Sequence, residues 1–323
     1  MNRRNLIVAA AQMECAPGGR SKNLAKASRL AEEAASRGAE LVLFPEMMPG
    51  GYLLTEAIWE TAEPFNGPTV NWMKALSARL GVYLGTTFLE AQGEDFFDTF
   101  VLTDPNGVVL GRIRKSPPAS FEAYFFTSGS DQHWIDTPLG RVGVGICFEN
   151  ALYERYCELH EADIDLYLRP FSGAAFEAKF PVGKRDAEQL NAALRDGTAE
   201  TAKLMGIPVV MANKVGRLKT ALPAGFPSQN IEFPGLSAVA DGDGSLRQQL
   251  GAGREGVVVG EITIDSARKS KGRQPPLHGR WTAPLPWVLA RLWLFTQWLG
   301  ERAYAKSARR RVKAKQMAIA SDA

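Results

Sequence analysis

The chain has 323 residues, 45% hydrophobic and 23% charged, enough apolar material for a large core and room for one or two domains. Three irregularly spaced cysteines (Cys15, Cys147, Cys157) exclude a regular disulfide framework and suit a reducing, cytoplasmic setting. The net charge of +3 is uneven, because residues 302–323 hold seven basic residues and one acid, which leaves −3 for residues 1–301.

The chain opens with Asn2-Arg-Arg and then an apolar run, the order of an export signal. Gln12 and Glu14 interrupt it where a cleavage region should begin, so residues 6–12 read as a first core strand. Residues 23–37 carry Leu24, Ala27, Leu30, Ala31 and Ala34 at helical spacing and stop at Gly38. A short strand is expected over 40–44, a helix over 69–80 closed by Gly81, and a strand over 82–89. Asp104-Pro-Asn-Gly107 turns a hairpin over 96–114, and Asp241-Gly-Asp-Gly244 a second over 237–246. Between them come strand 142–147, helix 152–160, strand 164–168, helix 186–205 and strand 207–212, and strand 257–264 follows. Strands alternating with helices, with hairpins interleaved, predict a layered α/β sandwich rather than a purely parallel sheet. No internal repeat is visible in the sequence.

Three apolar strands end in a reactive side chain: Glu46 after Leu41-Val-Leu-Phe-Pro, Lys115 after Gly111-Arg-Ile-Arg, and Cys147 after Val142-Gly-Val-Gly-Ile. Strand ends are where α/β folds place ligands. A carboxylate can take the thiol proton, and an ammonium can lower the thiol pKa and stabilise an oxyanion, so the trio suits nucleophilic chemistry without histidine. Singly, each has a plain structural reading: a small core cysteine, a strand-ending glutamate, a solvated lysine. Their joint occurrence favours chemistry. His133, His160 and His278 form no H-x-x-x-H pair, so a metal site is not expected.

These segments resemble the nitrilase superfamily of carbon–nitrogen hydrolases over roughly residues 5–265. Val8-Ala-Ala-Ala-Gln-Met resembles its opening strand, Phe44-Pro-Glu46 its glutamate motif, Arg114-Lys115 its lysine motif and Gly145-Ile-Cys147-Phe-Glu-Asn150 its cysteine motif. Thr137-Pro-Leu-Gly-Arg-Val-Gly, Ala212-Asn213-Lys-Val-Gly216 and Gly235-Leu-Ser237 fit its flanking features. The resemblance implies a four-layer α-β-β-α sandwich that assembles into homodimers or larger homo-oligomers. It implies Glu46 as general base, Lys115 as oxyanion stabiliser, Cys147 as nucleophile, Glu122 as a second glutamate orienting the lysine, and the Phe148 N–H as second oxyanion donor. It implies no organic cofactor. Arg169 joins Phe148 as a substrate-binding candidate. Two departures bear on substrate. Ser116-Pro117-Pro118 replaces the histidine that follows the lysine in many family amidases, and Cys-Phe-Glu-Asn is nearer the Cys-Trp-Glu-Asn of nitrilases. Amide hydrolysis leads, nitrile hydrolysis is second and N-acyl transfer third; a catalytically idle, membrane-associated scaffold is the rival from another class.

Residues 1–270 are expected to form the hydrolase domain and 271–323 an extension. Four of the seven tryptophans (Trp281, Trp287, Trp293, Trp298) fall within 18 residues, and the basic run 302–315 follows. An apolar, tryptophan-rich helix beside a basic run predicts a peripheral anchor on an anionic, cytoplasmic membrane face through residues 281–315. The alternative is a contact with a neighbouring subunit. Nucleic acid is disfavoured because the body is acidic.

Overall fold

The structure is a computed structural model and describes residues 3–180, 182–269 and 277–319. The expected domain boundary at 270/271 lies outside the described residues.

In chain order come β1 (Arg4–Gln12), α1 (Arg20–Ser36), β2 (Leu41–Leu43), α2 (Pro68–Leu80), β3 (Tyr83–Gln92), β4 (Asp95–Thr103) and β5 (Val109–Arg114). Next are β6 (Trp134–Thr137), β7 (Gly140–Val144), α3 (Tyr153–Glu161), β8 (Leu166–Pro170), α4 (Lys184–Met205) and β9 (Val209–Ala212). The remainder is β10 (Val215–Thr220), β11 (Gln229–Pro234), β12 (Ala238–Ala240), β13 (Leu246–Gln249), β14 (Gly256–Ile264), α5 (Trp287–Lys306) and α6 (Ala308–Ile319).

Two six-stranded sheets result, ordered β14-β1-β2-β3-β4-β5 and β13-β12-β9-β8-β7-β6. Each has three parallel strands flanked by an antiparallel strand on one side and an antiparallel hairpin on the other. The chain therefore repeats a topology without repeating a sequence.

Strand residues alternate between two cores. Leu6, Val8 and Ala10 of β1 face Val142, Val144, Leu166 and Leu168 between the sheets. Ala9 and Ala11 face Ala27, Ala31 and Ala34 of α1 and Val70, Met73 and Leu76 of α2. On the far side, Tyr167 and Val209 pack under Tyr156 and Leu159 of α3 and Ala202 and Met205 of α4. The layers are thus α-β-β-α, with α5 and α6 added.

The small alanines on α1 let it approach the sheet closely. Pro68 starts α2, and Gly81, left-handed at φ 68°, ends it. The expected elements are present with ends shifted by at most three residues. The β10–β11 ribbon and the four-residue β6 were not expected; the ribbon is largely exposed and polar, so it lacks the apolar run that marks a core strand. The extension forms two helices, split at Ser307, where one apolar helix and a basic run were expected.

Candidate active site

Glu46 lies just beyond β2, Lys115 directly after β5, and Cys147 three residues after β7, so all three leave the sheets near the core between them. Backbone bonds set each one. The Glu46 N–H donates to the Phe171 carbonyl (3.2 Å), tying the two sheets together beyond β2 and β8. The Lys115 N–H donates to the Asp98 carbonyl of β4 (2.8 Å). Cys147 opens a tight turn, Cys147–Ala151, with φ 48°, the strained left-handed region for a residue with a Cβ. Gly145 precedes it because a Cβ there would meet the Tyr167 hydroxyl at 2.1 Å.

The Lys115 ammonium is fully buried and donates to Glu46 Oε1 (2.6 Å) and Glu122 Oε2 (2.7 Å), with Asp98 Oδ2 at 3.9 Å. Burial would lower its pKa, but Glu122 and Glu46 outweigh that and raise it well above the ordinary lysine value, so the charge is held. Burial likewise pushes Glu46 up, yet Lys115 brings it below the usual carboxylate range. Glu122 ends above that range, because burial and Glu46 exceed the pull of Lys115. Burial and the Glu46 charge raise Asp98 furthest. Asp98 Oδ1, Asp98 Oδ2 and Glu46 Oε2 have no ordinary donor among the described residues. Burial and the Glu46 charge favour the protonated form of Asp98, which is able to donate to Glu46.

The half-buried Cys147 thiol is pushed well above its ordinary value by burial and by Glu46, which together exceed the lowering by Lys115. The expected lowering by the ammonium is present but is outweighed. A thiol with a raised pKa beside a carboxylate with a lowered one suits proton transfer concerted with attack by sulfur.

Behind the nucleophile lies a second buried network. Glu149 Oε1 accepts from the Ser116 N–H (2.7 Å), His133 Nε2 (2.7 Å) and Arg155 (3.4 Å), and its Oε2 accepts from the Ile146 N–H (2.7 Å). Asn150 donates to the carbonyls of Gly145 (2.7 Å) and Cys147 (2.9 Å). The amide oxygen of Asn150 accepts from Tyr167 (2.7 Å) and Arg169 Nε (2.8 Å). Arg169, expected as a substrate contact, is buried and holds Asn150 through Nε, while its Nη1 has no hydrogen-bond partner among the described residues; its guanidinium lies beneath Gly197 of α4.

Glu122 occupies the turn Ser120–Tyr124, where it caps the Ala119 N–H (2.7 Å) and receives the Tyr52 hydroxyl (2.8 Å). The Phe148 ring stands edge-on to Trp281 (5.7 Å) and Trp293 (5.5 Å) from the extension. Asp98, Tyr52 and Lys214 escaped the sequence reading. Asp98 sits in mid-strand between apolar residues, the one available hint. Lys214, whose ammonium lies 5.2 Å from the Tyr52 ring centre, was marked only as part of the Ala212–Gly216 flanking segment, with no role attached.

The extension packs on its own chain. Arg310 pairs with Asp95 (2.5 Å), Lys313 with Glu60 (2.6 Å), Arg309 with Glu56 (2.6 Å) and Lys315 with Glu94 (2.8 Å). No helix among the described residues is long and apolar enough to cross a membrane.

The family description for carbon–nitrogen hydrolases matches residues 7–271. An N-carbamoylputrescine amidase of Arabidopsis thaliana is 29% identical over 85% of this chain and 95% of its own length. A bifunctional nitrilase/nitrile hydratase of Nicotiana tabacum is 33% identical over 46% of this chain and 48% of its own. Among solved structures, a carbon–nitrogen hydrolase from Helicobacter pylori G27 superposes with a TM-score of 0.71 at 21% identity, covering 82% of this chain and 91% of that one. With the matched segment spanning both sheets and every residue of the cluster, the chain belongs to the carbon–nitrogen hydrolase family, within the nitrilase superfamily, and is an enzyme of that kind.

Proposed function

We propose that the enzyme hydrolyses a non-peptide amide through a thioester on Cys147. The observation that carries this is the buried Lys115 ammonium bridging Glu46 and Glu122 beside a thiol. Glu46 takes the thiol proton while Sγ bonds to the carbonyl carbon and the carbonyl π pair moves to oxygen. Lys115 Nζ and the Phe148 N–H receive that oxyanion. As the oxyanion collapses, the C–N bond breaks and the proton on Glu46 goes to the leaving nitrogen. Water then adds to the thioester, giving its proton to Glu46, and collapse releases the acid and returns the proton to sulfur. Glu122 orients Lys115 throughout.

Amide is favoured over nitrile because the amidase relative aligns along nearly the whole chain and the nitrilase relative along less than half. The test is an ammonia-release screen over amides, nitriles and carbamoyl compounds. Cys147→Ala should lose turnover while retaining its fold, and full activity in that variant overturns the mechanism. A best substrate that is a nitrile overturns only the bond type.

The aromatic face of α5 supports a separate proposal, contact with a second copy of the chain. The membrane expectation is weakened, since four of the basic groups it relied on are engaged with carboxylates of the body.

A further inference from the structure

The segment 278–300 lies beyond the residues matched by the family description, yet it touches both turns of the site. The turn carrying Glu122 begins at Ser120 with φ 47°, and the turn carrying Cys147 begins with φ 48°. Strained backbone of this kind persists only where its surroundings over-determine it.

For the first turn, α5 supplies those surroundings. Thr296 is wholly buried, and its hydroxyl donates to the Leu292 carbonyl (2.8 Å), which leaves its oxygen to accept from the Ser120 hydroxyl (2.7 Å). Gly300 faces the same turn so closely that a Cβ would lie 2.8 Å from the Ala123 carbonyl carbon and 2.9 Å from Tyr124 Cδ2. For the second turn, the Thr282 N–H donates to the Ala151 carbonyl (2.9 Å) and the Tyr153 N–H to the Arg280 carbonyl (3.0 Å). Trp281 and Trp293 close on Phe148, the residue after the nucleophile. One element thus backs the turn that orients Lys115 and the turn that presents the Phe148 N–H.

We infer that residues 278–300 are a positioning element of the active site that aims the two oxyanion donors at one point, with Thr296 and Gly300 as positioning residues for the turn that orients Lys115 and residues 280–282 and Trp293 backing the turn that presents Phe148. This rests on the roles given above to Lys115 and Phe148. The extension then serves the chemistry of its own chain, beyond any surface role.

Acrylamide tests it on the full-length enzyme. The thiol sulfur bonds to its β-carbon, the C=C pair shifts toward the carbonyl oxygen as an enolate forms, and the thiol proton ends on the α-carbon. The developing oxyanion needs the same donors as amide hydrolysis, and the adduct at Cys147 is read by mass. Gly300→Ala should slow adduct formation by roughly 10²-fold, the scale of a misplacement near 1 Å. Thr296→Val should slow it by about tenfold, with Thr296→Ser restoring it and melting temperatures unchanged. On the hydrolysed amide, kcat should fall with KM nearly constant. Wild-type rates in both Gly300→Ala and Thr296→Val would overturn the inference. So would loss of folded Thr296→Val protein, because the contact would then serve the fold and not the turn. Failure of acrylamide to label Cys147 in the wild type would instead strike the nucleophile assignment itself.

Discussion

Glu46 and Glu149 are both fully buried and both held below the usual carboxylate range, but they are satisfied very differently. Glu149 receives two backbone N–H groups, a histidine and an arginine, with donors on both oxygens. Glu46 receives one ammonium on Oε1, and its Oε2 has no ordinary donor. A buried carboxylate with every lone pair engaged fixes geometry, whereas one with spare capacity can accept a proton during a reaction. Glu149 is built to fix the turn that carries Cys147, and Glu46, in the proposed mechanism, works on the thiol.

Substituting the two separates these roles. Glu46→Gln should lower kcat by about 10²–10⁴-fold, the usual worth of a general base, with little loss of stability because Glu122 still pairs Lys115. Glu149→Gln should do the reverse. A glutamine cannot satisfy both the Ser116 and Ile146 N–H groups while leaving Arg155 paired, so about 3 kcal/mol of stability should be lost in urea titration. A stable, inactive Glu149→Gln beside an unstable Glu46→Gln would break the contrast.

Acid sharpens it. For both glutamates the native pKa lies below the unfolded value, so each stabilises the fold above the unfolded pKa, near 4.5, and that stabilisation is lost as pH falls through the native value. Asp98 has the opposite sign. Its native pKa is raised well above 3.8, so stability falls as pH rises from that value toward the native one. Asp98→Asn keeps a donor toward Glu46 and removes that loss. It should gain stability at neutral pH, with the gain vanishing below the unfolded pKa. Equal stability of variant and wild type at every pH would show that Asp98 carries no extra proton.

Glu46, Lys115 and Cys147 could be singled out ahead of the structure because each follows an apolar strand, and a strand end is a definite place. Glu122 was found only through the family pattern, since a short turn after Ser116-Pro-Pro has no periodicity of its own. Asp98 and Asn150 went unread because their roles depend on neighbours distant in sequence: Asp98 on Glu46 across the site, Asn150 on Arg169 of β8. The extension was legible as a tryptophan-rich helix, but composition could not show where it docks. The pairing of Lys313 with Glu60 and of Arg310 with Asp95 spans more than 200 positions, and nothing local encodes it.

The contrast between satisfied and open groups also runs across α5. Its inner face is engaged through Thr296, Gly300 and Tyr304, while Trp287, Phe295 and Trp298 are 71, 51 and 45% exposed. Arg302 stacks 4.0 Å from the Trp298 ring centre, so this outward face is aromatic with a cationic edge. If it meets a second copy, Trp298→Ser should leave folding stability within about 0.5 kcal/mol, as at ordinary surface positions. Turnover per site should also be unchanged, while the sedimentation coefficient shifts toward the smaller species on dilution. Binding to anionic vesicles should be weak in both proteins, because Arg309, Arg310, Lys313 and Lys315 are already paired. A variant that keeps its sedimentation behaviour but loses vesicle binding would assign the face to lipid. One that loses turnover would extend the positioning role from the inner face of α5 to the whole helix.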